Sequence, residues 1–370
     1  MKRFLKLKRI WILLLLPAAL LSLFAASRSS EIAEHVFARG LFVGISWVMA
    51  HVTGLLPFSL MELGILALPP LALFLLVFFT VRMIRRKEDR GFRLAKAFLN
   101  VGCIVSVVVF LLVMGCSINY YRYPVGTYLE LTVQPATKEE LYGLVVKLAK
   151  ETSAAREQLA CYEDERGVYS LSVSKKQLGK EAVAAFHELA GQYDIFGGYC
   201  PQPKHIYFSH VMSQTELTGI FCPFTMEANV NIDIPDYSIG STMCHELAHL
   251  KGFIREDEAN YISYLACQAS KSTELRYSGL MEALILAGNA LYAKDADLYY
   301  EARAYYSDGV SRDLRANSEY WAEFKDKPVS NTAQKINDAY LKANHQEDGV
   351  QSYGRMVDLL LAQYRKEVQE

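Results

Sequence analysis

The chain has no excess of charge of either sign: 39 Lys and Arg stand against 40 Asp and Glu, a net charge of −1. It also lacks any basic patch interleaved with aromatics in its water-soluble part, so nucleic acid is excluded as a partner. Its seven cysteines, Cys103, Cys116, Cys161, Cys200, Cys222, Cys244 and Cys267, are an odd number without the paired spacing of a zinc-thiolate site. An oxidising compartment would allow a pair such as Cys200 with Cys222, and buried free thiols are the equal alternative. Internal repeats and low-complexity segments are absent, which removes solenoids and propellers.

What the chain has in abundance is apolar length. Hydrophobic residues make up 52% of it and mean hydropathy is +0.09, so part of it is expected in lipid. Three runs are long enough to cross a bilayer: residues 10–26, behind the basic start Met-Lys-Arg-Phe-Leu-Lys-Leu-Lys-Arg; 63–83, with a kink expected at Pro69-Pro70; and 94–116. An Ala-Ala-Ser near Ser27 resembles a cleavage site, but two further apolar runs follow, so the first run reads as an anchor. The basic loop Arg82-Met-Ile-Arg-Arg-Lys-Glu-Asp-Arg90 belongs in the cytoplasm together with the basic amino terminus. Residues 36–56 are also rather apolar, yet Arg39, His51, Gly40, Gly44 and Gly54 weaken them as a span. Counting them would put the basic loop outside, so they are expected to form an outer loop or a helix at the interface. The expected organisation is a multi-pass anchor over 1–116 in the lipid bilayer and an extracytoplasmic domain over 117–370.

The soluble part mixes both secondary structures and is expected to be α+β. Thr137-Lys-Glu-Glu140 reads as a capping box opening a helix to about Glu157, with Leu141, Leu144, Val145 and Leu148 as its apolar stripe. Residues 174–193 repeat the helical pattern, with His187 as a structural histidine. Residues 204–212, 219–222 and 228–234 are strand-like; alternation would bury Val230, Ile232 and Ile234 and turn Asn229, Asn231 and Asp233 the other way. After Asn260 the chain is mostly helical, with a long apolar stripe over 273–294 and a solvated pair of helices over 296–326.

The chemistry lies in Met243-Cys-His-Glu-Leu-Ala-His-Leu-Lys251. On a helix, His245 and His249 share one face, so both imidazoles can reach one metal ion while Glu246 points beside it. Zinc takes neutral imidazole nitrogens and a carboxylate oxygen and leaves a fourth position to water in a catalytic site, so a third ligand is required. Gly252 offers a break at which the chain can turn back, and Glu256 or Glu258 then supplies the carboxylate, Glu256 being preferred. Asn260, one turn beyond Glu256, would hydrogen-bond a ligand histidine. Gly240-Ser241-Thr242 is the expected N-cap of the metal helix, and Cys244 is not a ligand.

The pair His245-Glu-Leu-Ala-His249 and Glu256-x-x-Ala-Asn260 resembles the gluzincin zinc peptidases, whose third ligand is a glutamate on the following helix. Three blocks together are similar to a family of uncharacterised bacterial membrane proteins: Gly219-Ile-Phe-Cys-Pro-Phe-Thr-Met-Glu-Ala-Asn-Val-Asn231, the metal motif, and Asn337-Asp-Ala-Tyr-Leu-Lys-Ala-Asn344 with Asp348-Gly-Val-Gln-Ser-Tyr-Gly-Arg-Met-Val-Asp358. The resemblance implies Zn2+ as cofactor, a gluzincin-like domain of a small sheet and mostly helices, and a place in the bacterial cell membrane with the domain in the envelope. It implies hydrolysis of a peptide or envelope protein, with Glu246 as general base. It also implies that the strand before the metal helix has a free edge, so that Glu227, Asn229 and Asn231 border the substrate. A hydrolase of this type needs a donor for the developing oxyanion; Tyr353 and Arg355 are candidates by residue type. The alternative expectation is a zinc-binding envelope sensor or scaffold without catalysis.

Overall fold

The computed structural model describes residues 7–85, 89–344, 346 and 349–369. Met1–Lys6 and Arg86–Glu88, which carry much of the basic charge of the amino terminus and loop, lie outside the described residues, as do His345, Glu347 and Asp348. The chain divides into two compact units, residues 1–49, 59–123 and 222–227 in one, and residues 50–58, 124–221 and 228–370 in the other.

The first unit is helical because its apolar runs leave the backbone no partner but itself. Helix α1 covers Lys8–Arg28, 3-10 over Lys8–Leu14 and α from Leu15. Helix α2 covers Ser30–Gly54, opened by the Ser29 hydroxyl accepting from Ile32 N and wound as a π-helix over Ala33–Phe42. Helix α3, Leu60–Arg85, holds Pro69 and Pro70, and α4, Arg90–Gly115, is followed by a 3-10 turn, Ser117–Tyr121. All four, α4 together with its turn, are long and apolar enough to cross a bilayer. Residues 36–54 thus lie within a helix, with Arg39 and His51 too few to interrupt it, and its mean hydropathy of 1.4 is the lowest of the four.

Ala19 and Ala26 of α1, Ala33 and Phe37 of α2 and Val113, Met114 and Ile118 form this unit's small core. A buried ion pair joins Glu34 to Arg122 at 3.1 Å. Gly115, closing α4, lies so close to the Pro223 carbonyl and to Met226 that a Cβ would clash. One residue on, the Glu227 carboxylate accepts from the Leu60 and Met61 amides, both at 3.0 Å, and caps α3.

The second unit is α+β. Its first helix, α5, Lys138–Gln158, opens with the Thr137–Glu140 capping box read from the sequence, and α6, Lys175–Gln192, is capped by Ser174. Among the described residues the sheet has three strands, β1 (Lys204–His205), β2 (Gly219–Cys222) and β3 (Glu227–Val230), in the order β1-β3-β2. The pair β1 and β3 is parallel, with Lys204 opposite Asn229. The strand expected over 204–212 is therefore brief, and Ser209–Ser213 is helical.

Three helices follow and pack on one another: α7 (Asp236–Leu250), α8 (Glu256–Ala269) and α9 (Thr273–Lys294), with α5 against α9. Their contact buries Met243, Leu247, Ala248, Ile262, Ala266 and Leu284. Ser278 joins α9 to α7, donating to the Tyr237 carbonyl and accepting from Ser241 N at 2.6 Å. Helices α10 (Asp308–Ala322) and α11 (Pro328–Ala343) lead to a 3-10 turn, Gly349–Arg355, and the last helix α12, Met356–Gln369. All seven cysteines are free thiols, Cys200 and Cys222 among them.

Candidate metal centre

Helix α7 begins at Asp236 behind Pro235, earlier than the cap expected at 240–242. Pro235 has no amide hydrogen to leave unpaired, and Asp236 places a carboxylate in the positive first turn. One turn of helix separates His245 and His249, whose rings meet edge to face at 4.6 Å between centroids. Gly252 ends the run at φ +83, a conformation that costs other residues a Cβ clash, with its amide on the His249 carbonyl at 2.9 Å. Four residues later α8 starts with Glu256 as its first residue, and the reversal carries that carboxylate back to the imidazoles.

Glu256 Oε2 is 3.1 Å from His245 Nε2 and 3.5 Å from His249 Nε2. One donor atom from each of the three residues falls within 4.8 Å of the others, so the group can hold a metal ion. Second-sphere contacts fix the tautomers. His249 Nδ1 is 2.8 Å from the Phe253 carbonyl, which only accepts, so Nδ1 carries the hydrogen. Asn260 Nδ2 donates to the Tyr353 carbonyl at 3.1 Å, which turns Oδ1 to His245 Nδ1 at 2.7 Å and makes that nitrogen a donor too. In its neutral form each ring then turns its Nε2 lone pair toward the Glu256 carboxylate. Three acceptors facing one point fit a cation, and this donor set of two neutral imidazoles and one carboxylate is the one zinc favours.

The charges of the cluster act on one another. Burial works against charge on His249, but the Glu256 carboxylate holds its pKa well above the ordinary histidine range. Burial would likewise raise Glu256, and His249 with His245 hold it far below the usual carboxylate value. Glu246, beside the cluster, has its carboxyl pushed up to about 7 by burial against the opposing pull of the two histidines. Among the described residues its Oε2 is buried without a hydrogen-bond partner, as is Glu256 Oε2. The choice between acids is decided by direction: Glu258 points elsewhere, accepting from Val125 N and pairing with Arg255, both at 3.0 Å.

Tyr353 joins the site. Its ring lies 6.4 Å from that of His245 at an interplanar angle of 21°, and burial, then the Glu256 charge, raises its hydroxyl pKa. Arg355 is held outward, with a side chain 60% exposed and Asp358 as its partner.

The expected substrate strand needs correction. β3 is central, not an edge, because β1 and β2 flank it. Asn229 and Asn231 are fully buried rather than turned to a cleft: Asn229 donates to the Ile220 carbonyl, and Asn231 donates to Ser213 Oγ and the Leu217 carbonyl while accepting from Asp233 N. Glu227 is 2% exposed and its carboxylate is committed to the start of α3. The strand against the histidine–glutamate cluster is β2. A Cβ at Gly219 would run into the Glu246 carboxylate, and the Phe221 ring lies 6.2 Å from that of His249. An isolated glycine in a strand is the mark of such close approach, and that signal was available in the sequence. Glu282 of α9, one turn past Ser278, carried no such mark; burial raises its pKa and His245 lowers it.

No curated protein and no solved structure matches the chain. A family model described as a protein of unknown function, DUF3810, matches residues 37–361, and the chain belongs to that family.

Proposed function

We propose that this protein is a membrane-anchored zinc metallopeptidase of gluzincin type, with His245, His249 and Glu256 as ligands. The observation that carries the reading is the convergence of two imidazole Nε2 atoms and one carboxylate beside a second buried acid, Glu246, whose Oε2 lacks a hydrogen-bond partner among the described residues. Bound there, zinc would supply Lewis acidity, lowering the pKa of water and polarising the scissile carbonyl.

The remaining work falls to the chain itself. Glu246, with its proton affinity raised toward neutrality, takes the proton of the attacking water and later delivers it to the leaving amine. Tyr353, kept protonated by burial beside Glu256, donates a hydrogen bond to the developing oxyanion. The outer edge of β2 aligns an extended peptide, and Gly219 leaves Glu246 room beside it.

Three crossings of the bilayer are proposed, not four. Glu34, near the start of α2, pairs with Arg122 just beyond α4; Leu60, the start of α3, is capped by Glu227, whose neighbour Met226 touches Gly115 at the end of α4. The chain leaves and re-enters at one end of α4. Had α2 crossed, residues 54–60 would have to return over about 30 Å of hydrocarbon, and six extended residues reach only about 20 Å. An odd number of crossings, with Arg82 and Arg85 at the cytoplasmic end of α3, leaves the residues from about 117 onward outside the cytoplasm of a bacterial cell.

The test is Glu246→Gln in the full-length protein. Zinc content by elemental analysis is expected to stay at one per chain while cleavage of an unbiased peptide pool falls about 10²–10⁴-fold. Retained cleavage defeats the assignment of Glu246. A wild type that binds zinc yet cleaves nothing and takes no hydroxamate probe favours the sensor or scaffold.

A further inference from the structure

We propose that the second unit carries its own lipid-contact patch, formed by Leu55 and Phe58 with Tyr207, Phe208 and Val211, which dips into the bilayer interface on the side of the α2 terminus. The inference is independent of the peptidase reading.

Two anchors bring these segments together within one unit. The Lys204 side chain, almost fully buried, donates from Nζ to the carbonyls of Thr53, at 3.1 Å, and Leu56. An ammonium at the carbonyl end of a helix is favoured by the helix dipole, so Lys204 caps α2 and fixes residues 204–208 beside 53–58. The His51 ring stacks on Tyr199 at 3.5 Å between centroids, and Gly54 lies against the same tyrosine. The end of α2 is thus built into the fold of the second unit.

Around these anchors large apolar side chains point to solvent: Leu55 and Tyr207 are each 85% exposed, and Phe208, Val211 and Phe58 are about half exposed. Soluble surfaces rarely gather so many, and such patches mark interaction sites. The surroundings name the partner. Residues 50–58 and 199–212 contain no acidic residue in a chain with 40, while Lys204, His205 and His210 fall within them. Asp233, which reaches this stretch, is tied to His210 at 2.9 Å and Tyr320 at 3.1 Å. Aromatic, apolar and acid-free is the composition that lodges at the headgroup boundary. The same unit also exposes Val52, in the last turn of α2, at 61%.

The test places single tryptophans in the full chain, with Trp11, Trp47 and Trp321 changed to Phe, in nanodiscs whose acyl chains are brominated near the headgroup. Tyr207→Trp is expected to lose most of its emission relative to unbrominated lipid. Tyr300→Trp, at a position 61% exposed on the same unit, is expected to lose none, and Phe74→Trp in α3, 62% exposed, reports on the spans. Quenching at 74 with none at 207 overturns the patch and leaves the spans standing; equal quenching at 207 and 300 overturns it as well. Shielding of 207 from iodide without bromine quenching assigns the face to a protein partner, which also overturns it. Should the tryptophan-free background not fold, a benzophenone amino acid at 207 replaces the reporter: capture of lipid supports the patch, and capture of protein or of nothing refutes it.

Discussion

Two buried charged clusters in the second unit are built on opposite principles. Around Arg156 every charge is answered: its guanidinium meets Asp313 and Glu163, both at 2.7 Å, and the Gly167 carbonyl, while Asp313 also accepts from Tyr277 and from Tyr169 N. Around Glu256 two imidazole Nε2 atoms face one carboxylate oxygen, and the Glu246 Oε2 beside them is buried without a hydrogen-bond partner among the described residues. The first cluster is complete; the second keeps buried carboxylate oxygens without a hydrogen-bond partner among the described residues and could hold a metal ion. The difference separates a satisfied ion cluster from a candidate metal site more sharply than burial does, since both are buried.

The contrast is broken most strongly by removing one member from each. Arg156→Met leaves Asp313 buried without its cation and is expected to cost about 3–5 kcal/mol of stability, read as a fall in thermal midpoint, with zinc still bound by the fraction that folds. His249→Ala is expected to abolish stoichiometric zinc while lowering the metal-free midpoint less than Arg156→Met does, because His245 still faces the Glu256 carboxylate at 3.1 Å. A metal-free midpoint that falls as far for His249→Ala as for Arg156→Met would erase the distinction.

A smaller effect sharpens the picture. Asn260 touches no metal in this arrangement but fixes the His245 tautomer, so Asn260→Ala is expected to weaken zinc binding about 10–100-fold in competition with a chelator. An unchanged affinity would mean that His245 is oriented by something else. The least effect lies at the surface, where Arg365 and the Thr137 amide hold the exposed Glu140 carboxyl down to about 2. A lowered carboxylate pKa contributes stability above the unfolded value of about 4.3, and that contribution disappears as pH falls toward 2. Thermal midpoints of wild type and Glu140→Gln should therefore differ at neutral pH and converge in acid.

The site was legible where the chemistry is local. His245, Glu246 and His249 share a helix, Gly252 marks the break, and Asn260 stands one turn from Glu256, so spacing alone grouped them. Thr137 and Ser174 announced their helices in the same way, because a cap is decided within four residues. The substrate side was not legible. Asn229 and Asn231 alternate as an exposed edge would, yet β1, contributing only two residues, pairs with β3 and encloses it. Glu227 looked available until α3, distant in sequence by more than 160 residues, brought its first amides to it.

By itself the sequence determined the histidine pair, the apolar helices and the Thr137 and Ser174 caps, since each depends on helical periodicity and on side chains within one or two turns. Only the tertiary structure decided which acid of 256 and 258 faces the histidines, that β2 and not β3 borders them, and that α2 begins at the end of α4 near which α3 begins. Those outcomes rest on contacts between segments far apart in the chain, where small differences in packing select one partner among many and no local pattern records the choice.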